Sequence, residues 1–328
     1  MSRLNIMHVF PPSTFCKLRW LHCHGFSCKI VSCVRNLSQL SGQEASNKVQ
    51  SLLQFWKSQF IQSKVSEPAE SVQYIMSAVL KCARGDLARL AETELDAGQR
   101  KNLERFCLCR LHKMPVQYII GEWDFCDVTL KLRPPVFIPR PETEQLAQLA
   151  AERLRQRGGG RLLEVGCGSG ALSVALLHWL QDDQSADACR LTEENAARLG
   201  VEDRLRVYNA TLTEDSLPGE HRQLYDLVVS NPPYLTTAEL RRLQPEILLY
   251  EDRAALDGGP DGLRVTRRLL RHAPGWLRPG GRLLLELDPA QPARLGGLLA
   301  DSGSPLRHDH THSDYAGRQR FAELCLPP

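Results

Sequence analysis

Asn231, Pro232, Pro233 and Tyr234 stand in a row directly after the apolar run 224–229. A strand that ends this way presents a fixed polar pocket. Neither proline donates a backbone hydrogen bond and both have a locked φ. The carbonyls are therefore held outward, beside one carboxamide that both donates and accepts. Such a pocket suits a planar NH2 group. An amide nitrogen is a poor nucleophile, because its lone pair is delocalised into the carbonyl, so a site must hold it in line with its electrophile at near-attack distance. The Asn231 side-chain oxygen and the Pro232 carbonyl would accept both NH2 protons, while the Tyr234 ring would stack on the amide plane and exclude water. No general base is needed before transfer, because the substituted amide sheds its proton readily afterwards. A Pro-Pro turn without function is the plain alternative.

A second motif weighs against that alternative. The loop Gly166-Cys167-Gly168-Ser169-Gly170 follows a short apolar strand containing Glu164. Its glycines allow positive φ and close backbone approach at the mouth of a helix. Alone such a loop is weak evidence, since dinucleotide enzymes use a similar turn. Here the spacing is tighter than G-x-G-x-x-G, and an acid precedes it. Together the two motifs point to methyl transfer from S-adenosylmethionine to an amide or amino nitrogen. Glu164 would help to position the loop that meets the methionine ammonium and carboxylate.

The elements that must carry these loops are legible in the hydrophobic period. From Gly158 the pattern is strand, loop and helix repeated, as in a doubly wound sheet. Strands are expected at 161–165, 205–208, 224–230, 282–287 and 320–326, and helices at 171–181, 191–199, 238–248, 262–273 and 292–300. Upstream, residues 45–115 read as helices, with Leu52, Leu53, Trp56 and Phe60 on one face and Val72, Ile75, Met76, Val79 and Leu80 on another. They suggest a small helical domain that either recognises a macromolecule or caps the rest. Residues 116–139 read as short strands at 116–120, 125–132 and 136–138, forming a hairpin linker, and 140–328 as the catalytic domain. Pro141 opens a helix to about residue 157, with Thr143 or its predecessors as the cap.

Composition is that of an ordinary globular protein, 42% apolar and 24% charged, and no apolar run approaches the roughly 18 residues needed to span a membrane. The net charge of +3 is concentrated at one end. Residues 1–43 carry Arg3, Lys17, Arg19, Lys29 and Arg35 and no acid, so the remainder carries about −2 and a globally basic nucleic-acid binder is not indicated. An acid-free leader with Arg, Lys and Ser is the composition of a mitochondrial transit peptide, here read as 1–44 with cleavage somewhere in roughly 35–50. A disordered tail with an accidental bias is the other reading. Of the 11 cysteines, Cys16, Cys23, Cys28 and Cys33 lie in that leader, and the other seven show no C-x-x-C pair and read as free, mostly buried thiols. His308, His310 and His312 would share a strand face, a solvated hairpin rather than a metal site, and no metal is expected. Arg264, Arg267, Arg268 and Arg271 form a basic helix face turned to solvent, with ribosomal RNA or an acidic partner as the alternative.

The chain resembles the HemK/PrmC family of protein-(glutamine N5) methyltransferases that modify peptide-chain release factors. Matching stretches run through residues 115–121, Phe137-Ile-Pro-Arg-Pro-Glu-Thr-Glu144, 163–170, Val229-Ser-Asn-Pro-Pro-Tyr234, 254–263 and 279–286. The resemblance covers roughly residues 50–326. It implies a class I S-adenosylmethionine-dependent methyltransferase, a Rossmann-like doubly wound α/β sheet with a small N-terminal helical domain that grips the release factor. The implied substrate is the glutamine of the GGQ loop, and with the leader the chain looks most like the mitochondrial member. Asn231, Pro232, Pro233 and Tyr234 would hold the glutamine. Glu164, the Gly166–Gly170 loop, Asn231 and Pro141 would lie on the cofactor side.

Two departures stand out. The family places an apolar strand after the first helix of the catalytic domain, inside the sheet and ending in a ribose-binding acid. Here residues 181–189 contain no such strand, as if about eight residues were missing; Asp183 is the best stand-in for the acid. After the next strand, Thr211 occupies the approximate place of an acid near the adenine. Loss of an interior strand should damage both the fold and the cofactor site. Two alternatives remain: an adenine-N6 nucleic-acid methyltransferase, because the tetrad also suits an exocyclic amine, and, from the missing strand, a non-catalytic variant that still docks on the release factor.

Overall fold

The computed structural model describes residues 4–8, 46–179, 190–201, 205–209, 212 and 224–328. Two compact units divide between Gly121 and Glu122, the second unit also taking in the first residues of the chain. Among the described residues no helix is long and apolar enough to cross a membrane.

The larger unit contains β1 (Leu4–His8), β2 (Glu122–Phe125), β3 (Val128–Lys131), β4 (Leu162–Val165), β5 (Leu205–Asn209), β6 (Tyr225–Ser230), β7 (Leu277–Glu286), β8 (Arg307–Ser313) and β9 (Gln319–Cys325). Seven of them form one sheet in the order β5-β1-β4-β6-β7-β9-β8, the first five mutually parallel and β9 antiparallel to both β7 and β8. β4 and β6 are buried on both faces, as interior strands of a parallel sheet must be. Leu162, Leu227, Val229, Leu284 and Phe321 belong to one core, and Leu163, Val165, Val228, Leu283 and Leu285 belong to the other.

The helical unit contains α1 (Val49–Gln62), α2 (Pro68–Leu80), α3 (Ala97–Leu111) and α4 (Val116–Ile120). Its core is the expected set, with Leu52, Trp56, Phe60, Val72, Ile75 and Met76 closed by Leu103 and Cys107. α3 starts in a reciprocal capping box: the Gln99 amide donates to Asp96 at 2.8 Å, and the Asp96 amide to the Gln99 side chain at 3.0 Å. The larger unit continues with α5 (Pro141–Gln156), α6 (Ala171–Trp179), α7 (Arg190–Arg198), α8 (Pro245–Tyr250), α9 (Arg264–Trp276) and α10 (Leu295–Ser302). α5 and α6 contribute to the first core, α9 and α10 to the second.

Three expectations are corrected. Residues 116–120 form a helix rather than a strand: Pro115 starts it, Gly121 ends it at φ +82, and Ile119 joins the helical core. Their β-branched composition reads as strand, but tertiary burial decides. The hairpin is confined to β2 and β3, and 136–138 forms no strand after the Pro134-Pro135 turn. The helix expected over 238–248 breaks into a short 3-10 turn at Glu239–Arg242 and α8, because Pro245 cannot continue an interior helical ladder. Leu4–His8, which fall within residues 1–44, form an interior strand of the large sheet. Its backbone pairs with Leu162–Val165 of β4 on one side and with all of β5 on the other. The place between β4 and β5, which the shortened 181–189 segment was expected to leave empty, is filled from the amino-terminal end of the chain.

Candidate active site

β4 and β6 are parallel neighbours, with Glu164 opposite Val229. Their loops therefore leave the sheet at the same end, the carboxyl end at which open α/β sheets bind ligands. The Ser230 hydroxyl donates to the Val165 carbonyl at 2.7 Å and locks the two strand ends together. This register brings the two sequence motifs into one cavity. Its walls include Glu164, Gly166, Cys167, Gly168 and Ser169 from one loop and Asn231, Pro232, Pro233 and Tyr234 from the other.

The glycine loop is clamped from behind and open in front. Glu164 is 4% exposed, and its Oε2 accepts both the amide of Ser173 (3.1 Å) and its hydroxyl, which ties β4 to the first turn of α6. Burial outweighs these bonds and pushes the Glu164 carboxyl up to about 7. From the other side α7 supports the loop, with Asn195 Nδ2 donating to the Ser169 carbonyl at 3.1 Å. Gly170 has φ +79, and a Cβ there would lie 2.5 Å from Thr192 Cγ2, so this glycine is required for packing. Gly166 and Gly168 also have positive φ, but nothing lies within 4 Å of where their Cβ atoms would be. Together they form a side-chain-free cradle at the start of α6. That shape and the helix dipole suit a charged amino-acid moiety such as the methionine end of S-adenosylmethionine.

The tetrad is equally supported. The Asn231 Nδ2 donates to the Thr143 hydroxyl oxygen at 3.0 Å, and Thr143 in turn donates to Glu286 Oε2 at 2.8 Å. Gln291 Nε2 donates to the Tyr234 carbonyl (3.2 Å) and to the Gly262 carbonyl (3.1 Å). The Gly258 amide donates to the Leu235 carbonyl at 2.8 Å, and a Cβ on Gly258 would sit 2.6 Å from the Pro233 carbonyl. The 256–263 segment is thus pressed against the tetrad. Burial and the nearby Glu286 hold the Tyr234 phenol up to about 12, so it stays neutral.

Pro141 is the first residue of α5 but does not line the cavity, where Pro139, Arg140 and Thr143 do. The cap of α5 is Arg140 by backbone position, without a side-chain bond, and Thr143 is turned inward instead. Arg140 donates to the buried Glu251 at 2.7 Å, fixing this entry. Asp183 and Thr211 lie outside the described residues. Sequence reasoning missed the roles of Thr143, Glu286, Asn195 and Gln291. Thr143 and Glu286 fall inside recognisable motifs, but nothing along the chain pairs them.

Other candidates find ordinary partners. Arg264 donates to the Asp257 carbonyl (2.8 Å), Arg267 to Asp261 (3.0 Å) and Arg268 to the Leu212 carbonyl (3.2 Å), so this helix face is already engaged within the chain. His312 contacts Glu323 at 2.9 Å, and no metal-binding group of three His, Cys, Asp or Glu occurs among the described residues.

The family model for the PrmC N-terminal domain matches residues 51–121, and that for the methyltransferase small domain matches residues 127–261. The chain is 38% identical over 293 residues to the MTRF1L release factor glutamine methyltransferase of Homo sapiens, covering 83% of this chain and 86% of that protein. It is 35% identical over 255 residues to the release factor glutamine methyltransferase of Geobacter sulfurreducens, covering 76% and 87%. Among solved structures, the release factor-specific protein-(glutamine-N5) methyltransferase of Alicyclobacillus acidocaldarius aligns over 58% of this chain and 95% of that one, at 23% identity and a TM-score of 0.35.

Proposed function

The chain belongs to the release factor glutamine methyltransferases, and we propose that it methylates the side-chain nitrogen of the GGQ glutamine of a mitochondrial peptide-chain release factor. S-adenosylmethionine, when bound, supplies an electrophilic methyl group on a sulfonium. The observation that carries this reading is the polarity of Asn231. Its NH2 is turned away to Thr143, and among the described residues no hydrogen bond is made by its oxygen, beside the open glycine cradle.

Asn231 Oδ1 and the Pro232 carbonyl accept the two protons of the glutamine NH2, fixing the nitrogen and raising its electron density. The Tyr234 ring covers the amide plane and excludes water. Gly166, Cys167, Gly168 and Ser169 hold the methionine end, with Glu164 and Asn195 bracing the loop. One N–C bond forms as the S–CH3 bond breaks, and one amide proton passes to solvent. The mitochondrial assignment draws on the acid-free residues 1–43, and the helical unit is the part assigned to grip the release factor.

Asn231→Ala tests the pocket. It should lower methyl transfer at least roughly 100-fold, the scale of losing one oriented polar group at a reacting centre, with S-adenosylmethionine still bound in equilibrium dialysis. Undiminished methylation would refute the assignment.

A further inference from the structure

The contacts behind Asn231 extend the glutamine-binding reading by two side chains, and their proposed role rests on that reading. Glu286, the last residue of β7, is fully buried. Its Oε2 accepts the Thr143 hydroxyl at 2.8 Å, while Oε1 is buried with no hydrogen-bond partner. Thr143 has a single proton to give. A carboxylate accepts and cannot donate. Ionised Glu286 therefore takes that proton and leaves Thr143 only lone pairs for Asn231. The carboxamide can satisfy them in one orientation, NH2 inward and oxygen toward the cavity, and this is the orientation found, at 3.0 Å.

We propose that Glu286 and Thr143 are positioning residues that set the polarity of the Asn231 carboxamide, selecting a substrate group that donates hydrogen bonds, a primary amide, over one that accepts them. Without the chain of bonds the carboxamide would be free to flip and present NH2 to the incoming NH2, which cannot pair.

The device carries a pH dependence. The charged and titratable groups facing Glu286 are Arg140 and Glu142 at the start of α5, Tyr234 in the tetrad and Arg320 on β9. Burial dominates; the Thr143 hydrogen bond and the two arginines oppose it, Glu142 adds to it, and the Glu286 carboxyl sits at about 7. Once protonated, Glu286 becomes a donor to Thr143, whose own proton is freed for the Asn231 oxygen. Correct polarity is thus enforced above about pH 7 and relaxed below it.

The test uses the full chain, S-adenosylmethionine and a mitochondrial release factor, with kcat and KM for the release factor and cofactor affinity measured separately. Thr143→Val should lower kcat/KM roughly 10- to 100-fold with cofactor affinity kept within about twofold, and Thr143→Ser should recover most of the loss because it restores the hydroxyl. Glu286→Gln should lower kcat/KM and abolish the acidic limb of the pH–rate profile near about pH 7. Wild-type rates in Thr143→Val, an equal loss in Thr143→Ser, or an unmoved acidic limb in Glu286→Gln would overturn the proposal while leaving the function standing. A wild-type chain that binds S-adenosylmethionine but transfers no methyl would overturn the functional reading itself.

Discussion

Glu164 shows how one residue braces the glycine loop at the expense of stability. Its carboxyl accepts two bonds from Ser173 and is 4% exposed, and burial raises it from 4.5 to about 7. The folded value lies above the unfolded one, so this group contributes most stability below about pH 4.5, and the contribution is lost as pH rises through about 7. The ionised form costs on the order of 3 kcal/mol. Urea unfolding of wild type should therefore show stability falling between about pH 4.5 and about pH 7, with buried Glu286 adding to the fall, and Glu164→Gln should reduce it. Equal pH slopes in the two proteins would contradict this role for Glu164. Asn231, Tyr234 and the glycines could be named from the sequence because their chemistry is local: prolines without donors, glycines at positive φ. Thr143 could not. Its hydroxyl looked like a helix cap, and only the fold brings it to Glu286, 143 positions along the chain.

Among the elements, strands and helices with a strong period were legible, and those decided by distant partners were not. β4 and β6 announced themselves as apolar runs ending in motif loops. Residues 116–120 have strand-like composition, yet form a helix once Ile119 joins the helical core. β1 is the strongest case. Nothing in residues 4–8 distinguishes a strand from a leader until β4 and β5 are set with a gap between them. An interior strand cannot lose its amides without opening two ladders, and each backbone bond contributes roughly 1 kcal/mol net. Deletion of residues 1–8 should therefore lower stability by on the order of 3–5 kcal/mol and weaken S-adenosylmethionine binding, because β1 runs beside the strand that carries the glycine loop. Ile6→Pro should act in the same direction. Unchanged unfolding midpoints and cofactor affinity in both would show that these residues are dispensable to the sheet.

For the whole molecule, the two units correspond to two family models. One unit is a small helical core matched by the PrmC N-terminal domain, and the other is a doubly wound sheet that gathers two distant motifs at the carboxyl end of its parallel strands. The amino-terminal end carries two readings, a leader by its charge and a strand by its pairing. They make opposite demands on processing: a chain cleaved after residue 8 keeps its sheet only if β1 stays bound. Methyl transfer to a release-factor glutamine underlies every role assigned to the tetrad. Peptide mass spectrometry tests it, after the purified full chain is incubated with S-adenosylmethionine and a mitochondrial release factor. One added methyl group is expected on the GGQ glutamine, absent with Asn231→Ala. A release factor left unmethylated by this chain, under conditions in which the human relative modifies it, would contradict the assignment.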